Sequence, residues 1–267
     1  MQPRRSCYMT LPVVPDTFRW TEAPWGVALR CRALEPFAAH LFTTRQLPLS
    51  SAGDLARLAR AVGASGAAML AQVHGRDVVT IHPEDAAPPS GTRGDILVSR
   101  HPALAVAVRT ADCVPLLIGD RRTGAVAAVH AGWRGTMARA SEAAVLALGA
   151  EFGSRPADLV AAIGPSIGVC CYEVGDDVMD AFAAAGHERH DRDRWFSGGT
   201  VAGSRGRFRL DLARATRDQL AAWGVPEDQI HACGLCTAMH LDVLTSYRAE
   251  KARAGRLAAA ICASVPV

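Results

Sequence analysis

Three short segments carry side chains able to grip a metal ion: Gln72-Val73-His74-Gly75, Thr110-Ala111-Asp112-Cys113-Val114-Pro115 and His130-Ala131-Gly132-Trp133-Arg134-Gly135. Two imidazoles and a thiolate make a donor set that suits zinc. Three protein ligands leave one coordination position open, the pattern of catalytic rather than structural zinc. An ion held in this way acts as a Lewis acid or activates water. Cys113 and His130 flank what reads as a hairpin, so folding back brings the two ends together. Spacing does not tie His74 to them. Asp95 is a candidate either to orient a ligand histidine or to act as general base. Asp112 competes for the orienting role, or simply forms a turn. Trp133 packs in the core or stacks on a base. A different chemistry also fits: Cys113 with His130 as the thiolate–imidazolium dyad of a hydrolase, with Asp95 or Asp112 as orienter.

The elements that must position these residues read mostly as strands. His40 to Arg45, Val78 to Ile81, Ile96 to Val98, Leu104 to Val108 and Val160 to Ile163 are apolar or β-branched runs. Val114 to Ile118 and Ala125 to Val129 flank a Gly-closed turn and predict the hairpin between Cys113 and His130. Helical periodicity runs from Leu55 to Leu70, from Asp176 to Ala185 and from Asp211 to Trp223. Thr136 is expected to cap a further helix that turns Met137, Ala140, Ala144, Val145 and Leu148 inward. Pro83 to Gly94 and the polar stretch Gly186 to Gly206 read as loops. With no repeat, low-complexity tract or linker, one mixed α/β domain over residues 1–267 is the economical reading, residues 1–35 being a peripheral extension.

Composition excludes several function classes. At 267 residues, 49% hydrophobic and 21% charged, the chain has ordinary globular make-up. Its net charge of +3 is small and no dense basic block occurs, so neither nucleic acid nor an anionic membrane is expected as a partner. No stretch reaches the ~20 apolar residues of a membrane span. The basic Met1–Arg5 start is interrupted by Pro12 and Pro15 before a signal-type core can form, which predicts a cytoplasmic protein. Its eight cysteines are then free thiols or metal ligands. Among them, His231, Cys233, Cys236 and His240 could make a structural zinc site. The vicinal Cys170–Cys171 pair reads as buried or loop-lining thiols.

A longer pattern carries a resemblance. HLFTTR (40–45), QVHG (72–75), GDILVS (94–99), RTADCVPLLI (109–118), AVHAGWRGT (128–136), AIGPSIGVCCYEVG (162–175), FRLDL (208–212) and CTAMHLDVLTSYRAEKARAGR (236–256) stand in one order. The series resembles the laccase-domain, or polyphenol oxidase-type, family, also called purine nucleoside phosphorylase-like and peptidoglycan editing factor-like. The resemblance implies zinc on His74, Cys113 and His130, with copper able to take the same site. It implies a four-layer αββα sandwich of mixed sheets. Phosphorolysis of adenosine, inosine, guanosine and methylthioadenosine is the implied activity, with adenosine deamination beside it. The implied partners are therefore a purine nucleoside and phosphate, and no obligate protein partner is evident.

Phosphate must be positioned by cations; Arg45 and Arg248 are the first candidates. Two departures from the family pattern bear on this. Gln46-Leu47-Pro48-Leu49 follows Arg45 where glycines are usual, and Ala249-Glu250 stands where a second arginine is common. Some relatives are connected with peptidoglycan precursors, which keeps the hydrolase reading open. The family label also suggests a copper phenol oxidase, but none of the nine histidines forms a His-x-His pair of the multicopper kind.

Overall fold

The computed structural model describes residues 10–198 and 207–263. Met1–Arg5, Cys7 and residues 199–206 of the expected polar loop lie outside the described residues.

Two six-stranded mixed sheets stack face to face. The first runs β1 (Phe18–Ala23), β2 (Gly26–Cys31), β3 (Ala38–Thr43), β15 (Leu257–Ala263), β7 (Leu104–Thr110), β4 (Gly66–Ala68). The second runs β14 (Ile230–Ala232), β10 (Leu159–Ile163), β8 (Val114–Asp120), β9 (Val126–Ala131), β6 (Ile96–Ser99), β5 (Val78–Ile81). A small sheet of β11 (Glu173–Gly175), β13 (Arg207–Leu210) and β12 (Phe196–Gly198) closes one side. The helices are α1 (Ala52–Ala61), α2 (Trp133–Met137), α3 (Ala140–Phe152), α4 (Asp176–Ala184), α5 (Arg189–Trp195), α6 (Leu212–Ala222) and α7 (Tyr247–Glu250).

Side-chain alternation along the strands builds the layers. Val106, Val108, Ala259 and Ile261 of the first sheet meet Leu97, Leu117, Ala128 and Ala162 of the second in the central core. The intervening residues of the first sheet, Ala105, Ala107, Ala258 and Ala260, pack on Leu58 and Ala59 of α1. On the far side of the second sheet, Ile96, Leu116, Val129 and Ile163 pack on Ala144 and Leu148 of α3 and Leu220 of α6. Helix, sheet, sheet, helix is the expected four-layer sandwich. Leu117 is fully buried in its centre, and truncation to alanine there costs about 2–5 kcal/mol.

Residues 18–31, within the expected peripheral extension, supply β1 and β2 at the edge of the first sheet, with Phe18 and Leu29 in the central core. The helix predicted over Leu55 to Leu70 is shorter and begins earlier. Ser51 and Asp54 form a capping box at its start, a feature worth about 0.5–2 kcal/mol. Gly63, at φ 71°, ends it, and Gly66–Ala68 continues as a strand. Thr136 does not cap α3; it lies inside α2, and Arg139 at φ 61° leads into α3. The stretch from Gly186, expected as loop, holds α5 and β12, because Trp195 and Phe196 are buried. No helix among the described residues is long and apolar enough to cross a membrane.

Candidate metal centre

The predicted hairpin forms and places two of the donors. In β8 and β9, Val114 pairs with Ala131 and Pro115 with His130, so Cys113 and His130 reach the same end of the second sheet. Alternation sets their direction. Val129 and Ala131 face the helices, so His130 between them belongs to the inner face. The Asp95 segment arrives beside them through β6: Ile96 pairs with Val129, and the His130 amide donates to the Asp95 carbonyl at 2.9 Å. His74 comes from the turn before β5, with its backbone in the left-handed region at φ 62°. One ligand atom from each of His74, Cys113 and His130 lies within 4.8 Å of the others. The two imidazole rings meet edge to face, with centroids 4.9 Å apart.

Asp95 holds this arrangement. Its buried carboxylate accepts from His130 Nδ1 at 2.8 Å and from the amides of Val73, His74 and Gly75 at 3.2, 2.9 and 2.7 Å. With four donors on it, the carboxylate orients the ring and pins the turn of His74. Asp112, the sequence-level competitor, does neither. It accepts from the Thr237 hydroxyl and the Arg248 amide, each at 2.6 Å. Gly132 completes the fit: a Cβ there would stand 2.8 Å from Cys113 Sγ and 3.4 Å from the His74 ring.

Electrostatics follow from these contacts. Burial works to raise the Cys113 thiol, but His130 and His74 outweigh it and bring it down to about 7. Burial works equally against a charged His130, yet Asp95 and Cys113 hold it up to about 9. A thiolate poised between two imidazoles is the donor set that a borderline cation such as zinc selects, so the residues fit the implied metal.

The trio opens into a cleft of about 680 Å³. Trp133, Tyr172 and Tyr247 give it aromatic walls, and Arg109, Arg134, Arg248, Lys251 and Arg256 make it cationic. The Arg134 guanidinium lies 4.2 Å over the Trp133 ring, and that of Arg248 lies 5.1 Å over Tyr172. Burial, with the Cys113 and Asp112 charges, pushes the Tyr172 phenol up to about 12, so it stays a neutral donor.

Of the predicted substrate arginines, Arg248 lines the cleft and Arg45 does not. The Arg45 guanidinium pairs with Glu250 at 3.0 Å and donates to the Leu241 carbonyl. Glu250, the residue standing where a second arginine is common, is thus what draws Arg45 aside. Tyr172, Arg109, Lys251 and Arg256 were not singled out as site residues by sequence reasoning, although all four lie inside the motif segments. In the GPSIG loop (164–168) the Ile167 amide donates to the Asp112 carbonyl and the Gly168 amide to Cys236 Sγ. Among the described residues His231, Cys233, Cys236 and His240 do not form a donor cluster; Cys233 is buried in the central core.

Residues 44–264 match the family model described as multi-copper polyphenol oxidoreductase laccase. A purine nucleoside phosphorylase of Bacteroides thetaiotaomicron is 39% identical over 167 residues, 62% of this chain and 60% of that protein. Another, of Deinococcus radiodurans, is 39% identical over 216 residues, 80% and 78% of the two chains. Adenosine deaminase RL5, from an unknown prokaryotic organism, is 39% identical over 51% of this chain and 49% of its own. The crystal structure of Bacillus licheniformis hypothetical protein YfiH superposes with a TM-score of 0.82 at 26% identity, covering 94% of this chain and all of that one.

Proposed function

The chain belongs to the multi-copper polyphenol oxidoreductase laccase family, and from that premise we propose that it is a zinc-dependent purine nucleoside phosphorylase with adenosine deaminase activity beside it. The observation that carries the reading is the convergence of His74, Cys113 and His130 at a cleft that is both aromatic and cationic. The names of the Bacteroides, Deinococcus and RL5 relatives support the substrate class. A cleft of this size falls in the range of small-molecule sites. Zinc on the trio supplies Lewis acidity at the cleft floor, and copper is the alternative occupant of the same donors.

The chain's own residues set up the transfer. Trp133 and Tyr172 offer flat faces to a purine. Arg248 and Lys251, with Arg109 nearby, hold phosphate and offset its charge while positive charge develops on the sugar. A phosphate oxygen then bonds the anomeric carbon as the glycosidic C–N bond breaks. Its electron pair leaves on the purine, which takes up a proton. In deamination, water adds at the amino-bearing carbon and ammonia leaves. Asp95 keeps the His130 ring in one tautomer and one orientation throughout. A cytoplasmic location belongs to the same reading.

A second reading has a specific observation in its favour. Cys113, His130 and Asp95 also form a nucleophile–base–orienter chain, which fits a cysteine hydrolase acting on peptidoglycan precursors. Alkylation separates the two: a metal-ligated Cys113 reacts slowly, a dyad Cys113 quickly. The primary test incubates metal-replete protein with inosine and phosphate. Hypoxanthine and ribose 1-phosphate are expected; no product from adenosine, inosine, guanosine or methylthioadenosine would refute the phosphorylase.

A further inference from the structure

Next to Tyr172 of the cleft wall in sequence, but outside the cleft lining, stands a second set of donors that the nucleoside chemistry does not use. The Sγ atoms of Cys170, Cys171 and Cys236 all lie within 4.8 Å of one another, those of Cys170 and Cys171 at 3.6 Å. Sequence brings only the first two together. Cys236 arrives through a parallel bridge between Ser166 and Cys236 that lays the 164–172 loop along the 233–237 segment. Cys170 is exposed, Cys171 half-buried and Cys236 buried, so the cluster has one open mouth.

We propose that Cys170, Cys171 and Cys236 form a second metal site, an all-sulfur site for a soft d10 cation, zinc(II) or copper(I). Three features support this. A tetrahedral centre with about 2.3 Å metal–sulfur bonds needs sulfurs about 3.8 Å apart; one pair is already there, and the others close by side-chain rotation. The Gly168 amide donates to Cys236 Sγ at 3.2 Å, the outer hydrogen bond expected of a ligating thiolate. A Cβ at Gly168 would stand 3.2 Å from Cys170 Sγ and 3.1 Å from Cys236 Cβ, so the backbone runs against the sulfurs where any larger residue would crowd them. A disulfide explains the geometry less well. It would use two sulfurs and strand the third, and a bond between adjacent cysteines is strained. Thiolate-only sets select soft cations over hard ones. Arg209 donates to the Cys170 carbonyl and brings positive charge near three sulfurs that lose their protons on binding.

The site would also stiffen the cleft. Tyr172 follows Cys171, and Thr237, next to Cys236, donates to Asp112 beside Cys113. An ion bridging the two segments ties together the wall and the floor of the cleft.

The test counts metal on full-length protein that is reduced, stripped, reloaded with zinc(II) or copper(I) and desalted. Wild type is expected to hold two equivalents, Cys113→Ser one, Cys170→Ser one and the double variant none. Because Cys170 is exposed, its replacement leaves the fold intact, which circular dichroism checks. X-ray absorption of loaded Cys113→Ser should show a shell of sulfur alone, at about 2.3 Å for zinc. Loading should raise the Tm of Cys113→Ser and leave that of the double variant unmoved. One equivalent in wild type, lost in Cys113→Ser and kept in Cys170→Ser, would overturn this site alone and leave the nucleoside reading standing. Nitrogen in the shell of Cys113→Ser would overturn it as well.

Discussion

His40 and His130 are both fully buried histidines on the inner faces of their sheets, and burial ends differently for each. His40 is 0% exposed and His130 2%. Around His40 the partners are neutral backbone: Nε2 accepts from the Cys31 amide at 2.9 Å, and Nδ1 faces the Ala38 carbonyl at 3.0 Å. Burial therefore prevails and pulls His40 down to about 4. Around His130 burial pulls the same way, but the Asp95 carboxylate and the Cys113 thiol reverse it and hold the ring near 9. The lesson is that burial makes a structural histidine, and charged partners at a sheet end turn it into a site residue.

Several changes would break or sharpen that contrast. Cys113→Ala should act most strongly, removing the thiol partner and one ligand. Nucleoside phosphorolysis is expected to fall by about three orders of magnitude or more, with loss of metal from that site; unchanged turnover would assign the chemistry elsewhere. His40 predicts a stability effect instead. It is neutral when folded and carries an ordinary value near 6.5 when unfolded, so its contribution is present above pH 6.5 and is lost as pH falls toward 4. About 3 kcal/mol goes over that window. Urea denaturation at pH 7 and pH 4.5 measures the loss, and His40→Gln should flatten the slope while retaining metal at the trio.

Smaller effects probe the positioning groups. Asp95→Asn should weaken metal binding about 10–100-fold, read by competition with a chelator, while His40→Gln leaves that affinity alone. Arg248→Ala should raise the KM for phosphate about tenfold, the size of a lost charge-assisted hydrogen bond. Arg45→Ala should change the same KM less than about fivefold, because its partner is Glu250 and the pair is partly solvated. Equal effects from the two arginines would mean that Arg45 leaves Glu250 when phosphate binds.

The sequence disclosed the strands more readily than the turns. Val114 to Ile118 and Ala125 to Val129 announce the hairpin because both are apolar runs around a Gly-closed turn, and the structure pairs them. His74 at φ 62° and Asp112 at φ 92° are different. Histidine and aspartate enter a left-handed backbone more often than most residues, but most of them do not, so residue type alone does not mark the conformation that His74 adopts beside Cys113. Periodicity misled at Leu55 to Leu70, since Leu70 is buried in the central core rather than on a helix. Motif resemblance points to the trio, and Asp95 is a candidate by residue type and position, whereas the cationic cleft is hidden. Arg109, Arg134, Lys251 and Arg256 come from distant segments, and only the pairing of β15 with β7 and the turn after β9 brings them to one opening. Arg45 failed to arrive for an equally non-local reason, the carboxylate of Glu250.

Metal dependence of phosphorolysis tests the central claim most directly. Stripped protein is titrated with zinc while ribose 1-phosphate formation from inosine and phosphate is followed, in parallel with Cys170→Ser. The account predicts a rate that climbs from near zero and levels off once the site of His74, Cys113 and His130 is filled, at one equivalent in Cys170→Ser. Full turnover by stripped protein, or none at any zinc level, would contradict it.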